Sequence, residues 1–353
     1  MRVVVAGGGM IGLAVARLLG QRGIEPVVLE RRPAGPPPTH PFMLGYHGYP
    51  AVEDMGVMDE VRSLGWDVSD GARSIGVSMS FLDFVEIIGR GVPVEHEHTI
   101  VDLVRADGRV VGVLVDGPDG RTTVESDLVI AADGVRSRVR DMAGIESRDE
   151  SRGEGGFAFV SPSVIDRPFA MRFTSDGGVV IGVGWPTGSA GWWTIDKIGR
   201  EAAMAPGIDA FKAAYAALLP EAAGAVEGLT SWKQVHYGEP MVLTCPRWWV
   251  PGVVAIGDAA HFFSPETGAS GGLGLGDAHA LAEAIVRNPD DADGACAMFA
   301  AWREPIVRPL EAADPSRAQR RAAAGGGARR PEEHWPPLTA SSGSGEDGSP
   351  RRA

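Results

Sequence analysis

The stretch MRVVVAGGGMIGLAVARLLGQRGIEPVVLE, residues 1–30, decides how the rest of the chain is read. Residues 3–6 are a short apolar run rich in β-branched side chains, the pattern of a strand buried on both faces. Gly7, Gly9 and Gly12 follow as G-x-G-x-x-G. Ile11, Val15, Leu18 and Leu19 then recur at helical spacing, Gly23 stops the helix, and residues 26–30 supply a second apolar strand. Strand, glycine turn, helix and strand make a βαβ unit. In such a unit the first glycine permits the tight turn, the second lets a pyrophosphate approach the backbone, and the third lets helix pack on strand. The helix N-terminus offers N–H groups and a positive dipole end to phosphate. Glu30, closing the second strand, is placed to accept hydrogen bonds from ribose hydroxyls. An acid there suits an unphosphorylated ribose, as in NAD or FAD, and this unit alone leaves the two open. Arg2, the apolar run and the small Ala14 and Ala16 mimic a signal peptide, but the clustered glycines and the resumed strand favour a folded unit.

Outward from this unit, two more apolar strands end in an acid beside a glycine. Residues 128–132 run into Asp133-Gly134, and residues 253–256 run into Gly257-Asp258. Either acid alone could simply cap a following helix. Together with the N-terminal glycines they make three strand ends able to face one crevice. Between them the pattern predicts a helix over 51–64, a strand over 74–82 with a short helix over 83–89, and a β-meander over 99–125. Aromatic and valine-rich antiparallel strands are expected over 157–195, a helix over 207–219, and helices over 273–286 and 295–310. The expected fold is α/β: a Rossmann-like domain with a parallel sheet, plus an inserted antiparallel β-sheet substrate domain. Its expected limits are 1–156 and 246–315 for the first domain and 157–245 for the second, with a disordered low-complexity tail over 316–353.

Composition narrows the function classes. A net charge of −13 and a pI near 5.1 argue against a nucleic-acid groove. Cys245 and Cys296 supply neither a disulfide framework nor a metal spacing, so no metal is expected, and a cytoplasmic location fits. No other apolar run is long enough to span a bilayer, so no membrane role is expected.

The motifs in order resemble the class A flavoprotein monooxygenases, the FAD-dependent aromatic hydroxylases related to para-hydroxybenzoate hydroxylase. The resemblance is carried by GGGMIG (7–12), ADGVRSRVR (132–140) and GDAAHFFSPETGASGGLGLGDA (257–278), and it spans about residues 1–310. It implies a cofactor-contact set of Gly7, Gly9, Met10, Ile11, Gly12, Glu30, Arg31, Asp133, Arg136, Gly257, Asp258, Pro265, Gly268, Ala269, Ser270 and Gly271. Within that set Arg31 would lie near the adenine, Asp258 would bind a ribityl hydroxyl, and the loop 265–272 would run beside the isoalloxazine. Backbone N–H groups at a helix start can stabilise the negative charge of reduced flavin, and glycines leave that approach unobstructed. Two departures from the family pattern stand out: Phe81 takes the place of a cofactor-touching arginine, and Gly268-Ala269-Ser270 takes the place of Gly-Gln-Gly.

The implied chemistry is NADH or NADPH reducing FAD, O2 adding to the flavin, and a flavin hydroperoxide hydroxylating an aromatic or polycyclic small molecule. Tyr46, His47 and His236 are conceivable acid–base groups, and Trp185, Trp192, Trp193, Tyr237 and Phe262 conceivable pocket lining, although core packing is the commoner role for an aromatic. His261 is read as packing the helix start and Asp277 as a cap or helix-surface residue. Three alternatives were weighed. A halogenase would carry W-x-W-x-I-P, which GWWTID lacks. A simple NAD dehydrogenase leaves the two later motifs unexplained. A degenerate flavin-binding protein without hydroxylase activity is the remaining one. Oligomeric state is not legible.

Overall fold

A computed structural model describes residues 1–69, 71, 73–149, 155–174, 178–195, 200–239, 241–264 and 267–314. The expected tail from residue 316 and the Pro265 contact lie outside the described residues.

The apolar strands associate as their two-sided burial requires. A six-stranded sheet runs in the order Trp249–Val250, Val253–Ala255, Leu128–Ala131, Val3–Ala6, Val27–Glu30, Glu95–His96. All neighbours are parallel except the Trp249–Val250 edge, which turns back on Val253–Ala255. The register puts Ala6 beside Ala131 and Ala131 beside Ala255. Ala132 N donates to Ala6 O at 2.9 Å and Ile256 N to Ala131 O at 3.1 Å, which carries the alignment past the last paired residues. The chain leaves the central strand toward Val27–Glu30 on one side and returns through Leu128–Ala131 on the other, so the strand order reverses there. Open α/β sheets bind ligands outside the carboxyl ends of their strands at such a point.

The expected meander forms over Thr99–Ala106, Arg109–Gly117 and Gly120–Glu125. The expected antiparallel region forms a five-stranded sheet: Phe169–Phe173, Val179–Trp185, Gly188–Ile195, Gly155–Ser161, Val235–Gly238. One face packs under the Ile208–Leu218 helix, where Phe157, Phe159, Phe211 and Tyr215 form a core. Tyr215 satisfies its buried hydroxyl by donating to Ile181 O at 2.8 Å. The other face carries Phe169, Met171, Val179, Ile181, Val183 and Trp192. No helix among the described residues is long and apolar enough to cross a membrane.

Three elements differ from the expectation. The helix over 51–64 is two helices, Tyr49–Asp54 and Met58–Leu64, because Gly56 at φ +72° ends the first with a paired closure: Val57 N to Val52 O and Gly56 N to Glu53 O. The strand over 74–82 stops at Ser78, and Ser80 caps a helix over Phe81–Gly89 by accepting from Asp83 N at 3.3 Å. The glycine run read as loop up to residue 272 is already helix, Ser270–Arg287. Its glycines are helical because neighbours press on them: added Cβ atoms would lie 3.0 Å from Gly45 O at Gly272 and 2.8 Å from Ile11 Cδ1 at Gly274. Close approach outweighs the roughly 1 kcal/mol that glycine costs in a helix interior.

Candidate functional site

The three aligned strand ends bring the Gly7 turn, the Asp133 loop and the Gly257–Asp258 turn to one edge of the sheet. Gly7 has φ +103°, and a Cβ there would sit 2.7 Å from Ala132 O, so the first turn lies directly on the second strand's exit. A Cβ on Gly12 would collide with Gly7 O, which seats the helix against the turn. Gly9 differs. It is the N-cap of the Met10–Gly20 helix, no side chain caps that helix, and a Cβ there would meet nothing within 4 Å. Two glycines are therefore required by packing, and the middle one faces open space at an uncapped helix N-terminus. That is the geometry a pyrophosphate needs, and these residues fit FAD.

A second uncapped helix start lies on the return segment. Ala269 is the N-cap of Ser270–Arg287 and contributes no side-chain acceptor. Gly45 backs this start, since Gly272 packs on its carbonyl, and the Met10 and Phe42 side chains stand 3.3 and 3.4 Å from a Cβ placed on Gly271. Ser270 is turned inward, its Oγ accepting from Phe263 N at 3.1 Å. Gly268 holds φ +58° where the chain enters the helix.

Glu30 is buried, and its carboxylate is fully engaged. Oε2 accepts from Gly8 N at 2.9 Å, and Oε1 accepts from Arg32 N at 2.9 Å and Arg32 Nε at 3.0 Å. Burial would raise its pKa, but the Arg32 hydrogen bonds and charge outweigh burial and hold it below the ordinary value. Arg31 beside it is exposed, and Arg32, two residues past Glu30, returns to the same side of the chain.

Asp133 accepts from Ser137 Oγ, from Arg138 N at 2.9 Å and from Val139 N at 3.2 Å. Its carboxylate thus organises the start of the Arg138–Ala143 helix, while its backbone lies against the Gly7 turn. Arg136 is exposed beside it. Asp258 sits half-buried in the one-turn helix Gly257–Ala259. Burial and then the nearby Asp277 charge push its carboxyl up to about 6, against the opposing influence of His261.

Asp277 corrects the sequence reading. It is neither a cap nor a surface residue but is fully buried, accepting from Gly257 N, His261 and Arg303. Helical spacing alone could not show this, because the partners come from residues 257, 261 and 303. His261 is fully buried against Trp248, as its packing role requires.

The acid–base candidates separate. Tyr46 and His47 stack at 4.1 Å in a one-turn helix, Tyr46–Gly48, that follows the Met43–Gly45 strand beside the glycine-rich helix start. Burial and the Arg303 charge push His47 down to about 4, so its imidazole is neutral at pH 7. Burial raises the Tyr46 phenol above its ordinary value. His236 lies on the edge strand of the five-stranded sheet, paired with Ala158, which also pairs with Trp192. His236 and Trp192 therefore share the helix-free face. Trp193 and Tyr237 point the other way, into the core with Phe211 and Phe157, and do not line a pocket on that face. Phe81 is buried against Phe42 and meets His40 at a tilt with ring centroids 4.0 Å apart, so an aromatic cluster surrounds the start of this helix. No metal-binding cluster occurs among the described residues.

Comparison with known proteins agrees with this geometry. The chain is 26% identical to the FAD-dependent urate hydroxylase of Mycolicibacterium vanbaalenii, over 86% of this chain and 84% of that protein. It is 26% identical to the 6-methylpretetramide 4-monooxygenase of Streptomyces rimosus, over 74% of this chain and 70% of that one. Its fold matches Pseudomonas aeruginosa PqsL in complex with 2-aminobenzoylacetate, with a TM-score of 0.76 at 21% identity, covering 92% of this chain and 98% of that one. The FAD binding domain family matches residues 87–293, a span that excludes the N-terminal glycine turn, so the two lines of evidence are independent. Sheet topology, glycine turn and family match converge: the chain belongs to the FAD binding domain family.

Proposed function

We propose that the chain is an FAD-dependent monooxygenase that uses NADH or NADPH and O2 to hydroxylate an aromatic or polycyclic small molecule. The observation that carries this reading is the row of strand ends at Ala6, Ala131 and Ala255, with open space at Gly9 in front of an uncapped helix. The FAD-dependent hydroxylases among its relatives support the activity. When bound, FAD supplies the redox and oxygen-transfer chemistry, and the protein supplies position, field and exclusion of water.

Each part of that task has residues suited to it. The Gly9 backbone and the helix behind it hold the pyrophosphate, with Glu30 turned toward the adenosine side through Gly8. Arg32 occupies the Glu30 carboxylate, so a ribose hydroxyl joins or displaces an existing pair there. Asp258 accepts from the ribityl chain. The bare amides at Ser270–Gly272 face the electron-rich edge of the ring system, in a place where the helix dipole stabilises negative charge. The helix-free sheet face, largely apolar with Thr194 bonded to the Trp192 indole and His236 at its edge, suits an aromatic substrate body. His47, beside the glycine-rich helix start and neutral at pH 7, can hydrogen-bond a substrate hydroxyl through its ring nitrogens. The buried free cysteines fit a reducing compartment such as the cytoplasm.

The test is the absorption spectrum of purified protein, followed by NADH and NADPH consumption against a panel of phenols and polycyclic phenolics. Bound flavin and substrate-accelerated oxidation with a hydroxylated product are expected. Protein that stays colourless with FAD in excess overturns the reading. Flavin without any substrate-stimulated turnover favours a binding protein instead.

A further inference from the structure

The Gly257–Asp258 turn is gripped from behind by ionisable groups to which the flavin chemistry assigns no part. Asp277 is fully buried on the Ser270–Arg287 helix. Its Oδ2 accepts from Gly257 N at 3.0 Å and from His261 Nε2 at 2.6 Å, and its Oδ1 accepts from Arg303 Nε at 2.7 Å. The Arg303 side chain, buried on the last helix, makes a second bond from Nη2 to Leu273 O at 3.0 Å. Three buried ionisable groups are costly unless each is paired, and an apolar trio of equal volume packs helices at least as well. What the trio adds to packing is a fixed acceptor for one backbone N–H of the turn.

We infer that Arg303, Asp277 and His261 form a positioning network that holds the Gly257–Asp258 turn in its ligand-binding shape, so that FAD affinity depends on the network. This rests on the FAD reading above. The groups facing the turn are few. His261 comes from the following strand, Asp277 from the glycine-rich helix, and Arg303 from the last helix by way of Asp277. Arg140 reaches Ala259 O at 3.3 Å from the Arg138–Ala143 helix, and Cys245 donates to the same carbonyl at 3.7 Å. The N-terminal helix contributes only the apolar Ile11, 3.0 Å from a Cβ placed on Gly257.

Asp277→Asn replaces the carboxylate that accepts from Gly257 N, His261 and Arg303 by a neutral amide, so it weakens the anchor on Gly257 N–H and loosens FAD.

The experiment titrates FAD into deflavinated wild type and variants at pH 8, following flavin fluorescence quenching, with circular-dichroism melts alongside. For Asp277→Asn, about a tenfold rise in Kd is expected. A variant that melts earlier but keeps the wild-type Kd overturns the inference and leaves the trio a scaffold. Should Asp277→Asn fail to fold, Arg303→Lys and Arg303→Gln carry the test. Lysine keeps a charge opposite Asp277 and a Kd near that of wild type, and glutamine raises the Kd. Identical affinities for these two overturn the inference. Wild-type protein that takes up no FAD fails the FAD reading itself, a distinct result.

Discussion

The two sheets of this protein place their functional residues by different rules. In the parallel sheet, function sits at strand ends, and registers that align Ala6, Ala131 and Ala255 bring three loops together automatically. In the antiparallel sheet, function sits on a face, and adjacent residues have opposite fates. Trp192 lies on the helix-free face, while Trp193 stacks on Phe211 in the core at 5.7 Å. A short motif is enough to find a strand end. A face is found only when it is known which side the helices cover.

This contrast can be broken most sharply at the glycine turn. Gly12→Val places atoms where Gly7 O stands, and a loss of about 3 kcal/mol or more in urea unfolding is expected. Gly9→Ala meets no atom and should fold with nearly wild-type stability, yet bind FAD at least about tenfold more weakly, because its methyl enters the space assigned to phosphate. Equal FAD affinity in Gly9→Ala and wild type would separate the turn from the cofactor.

Next comes the tryptophan pair. Trp193→Ala removes a half-buried ring stacked on Phe211 and should cost about 1–2 kcal/mol in a thermal or chemical melt. Trp192→Ala should cost less stability and act on substrate instead, raising KM in steady-state assays while FAD binding holds. If Trp192→Ala leaves KM for an accepted substrate untouched, the helix-free face is not the substrate wall.

A comparable effect is expected at Tyr215→Phe, which leaves the Ile181 carbonyl without its donor at a cost of about 1–2 kcal/mol. FAD affinity should not move, because this core lies on the far face of the sheet.

The smallest effect concerns acid. His47 has a folded pKa of about 4, below the unfolded value of 6.5, so the unfolded chain binds the proton first as pH falls. Stability from this group is whole above pH 6.5 and erodes between 6.5 and 4. Because His47 is only half-buried, the loss should be about 1 kcal/mol after solvent screening. His47→Gln should flatten that part of the stability curve in urea melts at pH 4.5 and 7. An unchanged slope would mean that His47 titrates normally.

The order of elements, the βαβ unit, the three strand-end motifs and the alternating strands were all legible, because each is written in local spacing of 2 or 3.6 residues. The misreadings have one cause. Gly271 and Gly272 look like loop until Met10, Phe42 and Gly45 are pressed against them. Asp277 looks like a cap or helix surface until His261 and Arg303 meet it.

By itself, then, the sequence determined a dinucleotide turn, a parallel sheet assembled from distant segments and a second antiparallel sheet, since burial periodicity and glycine spacing are properties of neighbouring residues. Only the tertiary structure decided which glycine is open, which tryptophan faces the helix and which acid is the hub of a buried charge network. Those outcomes depend on atoms contributed from tens to hundreds of residues away, whose approach no local pattern records.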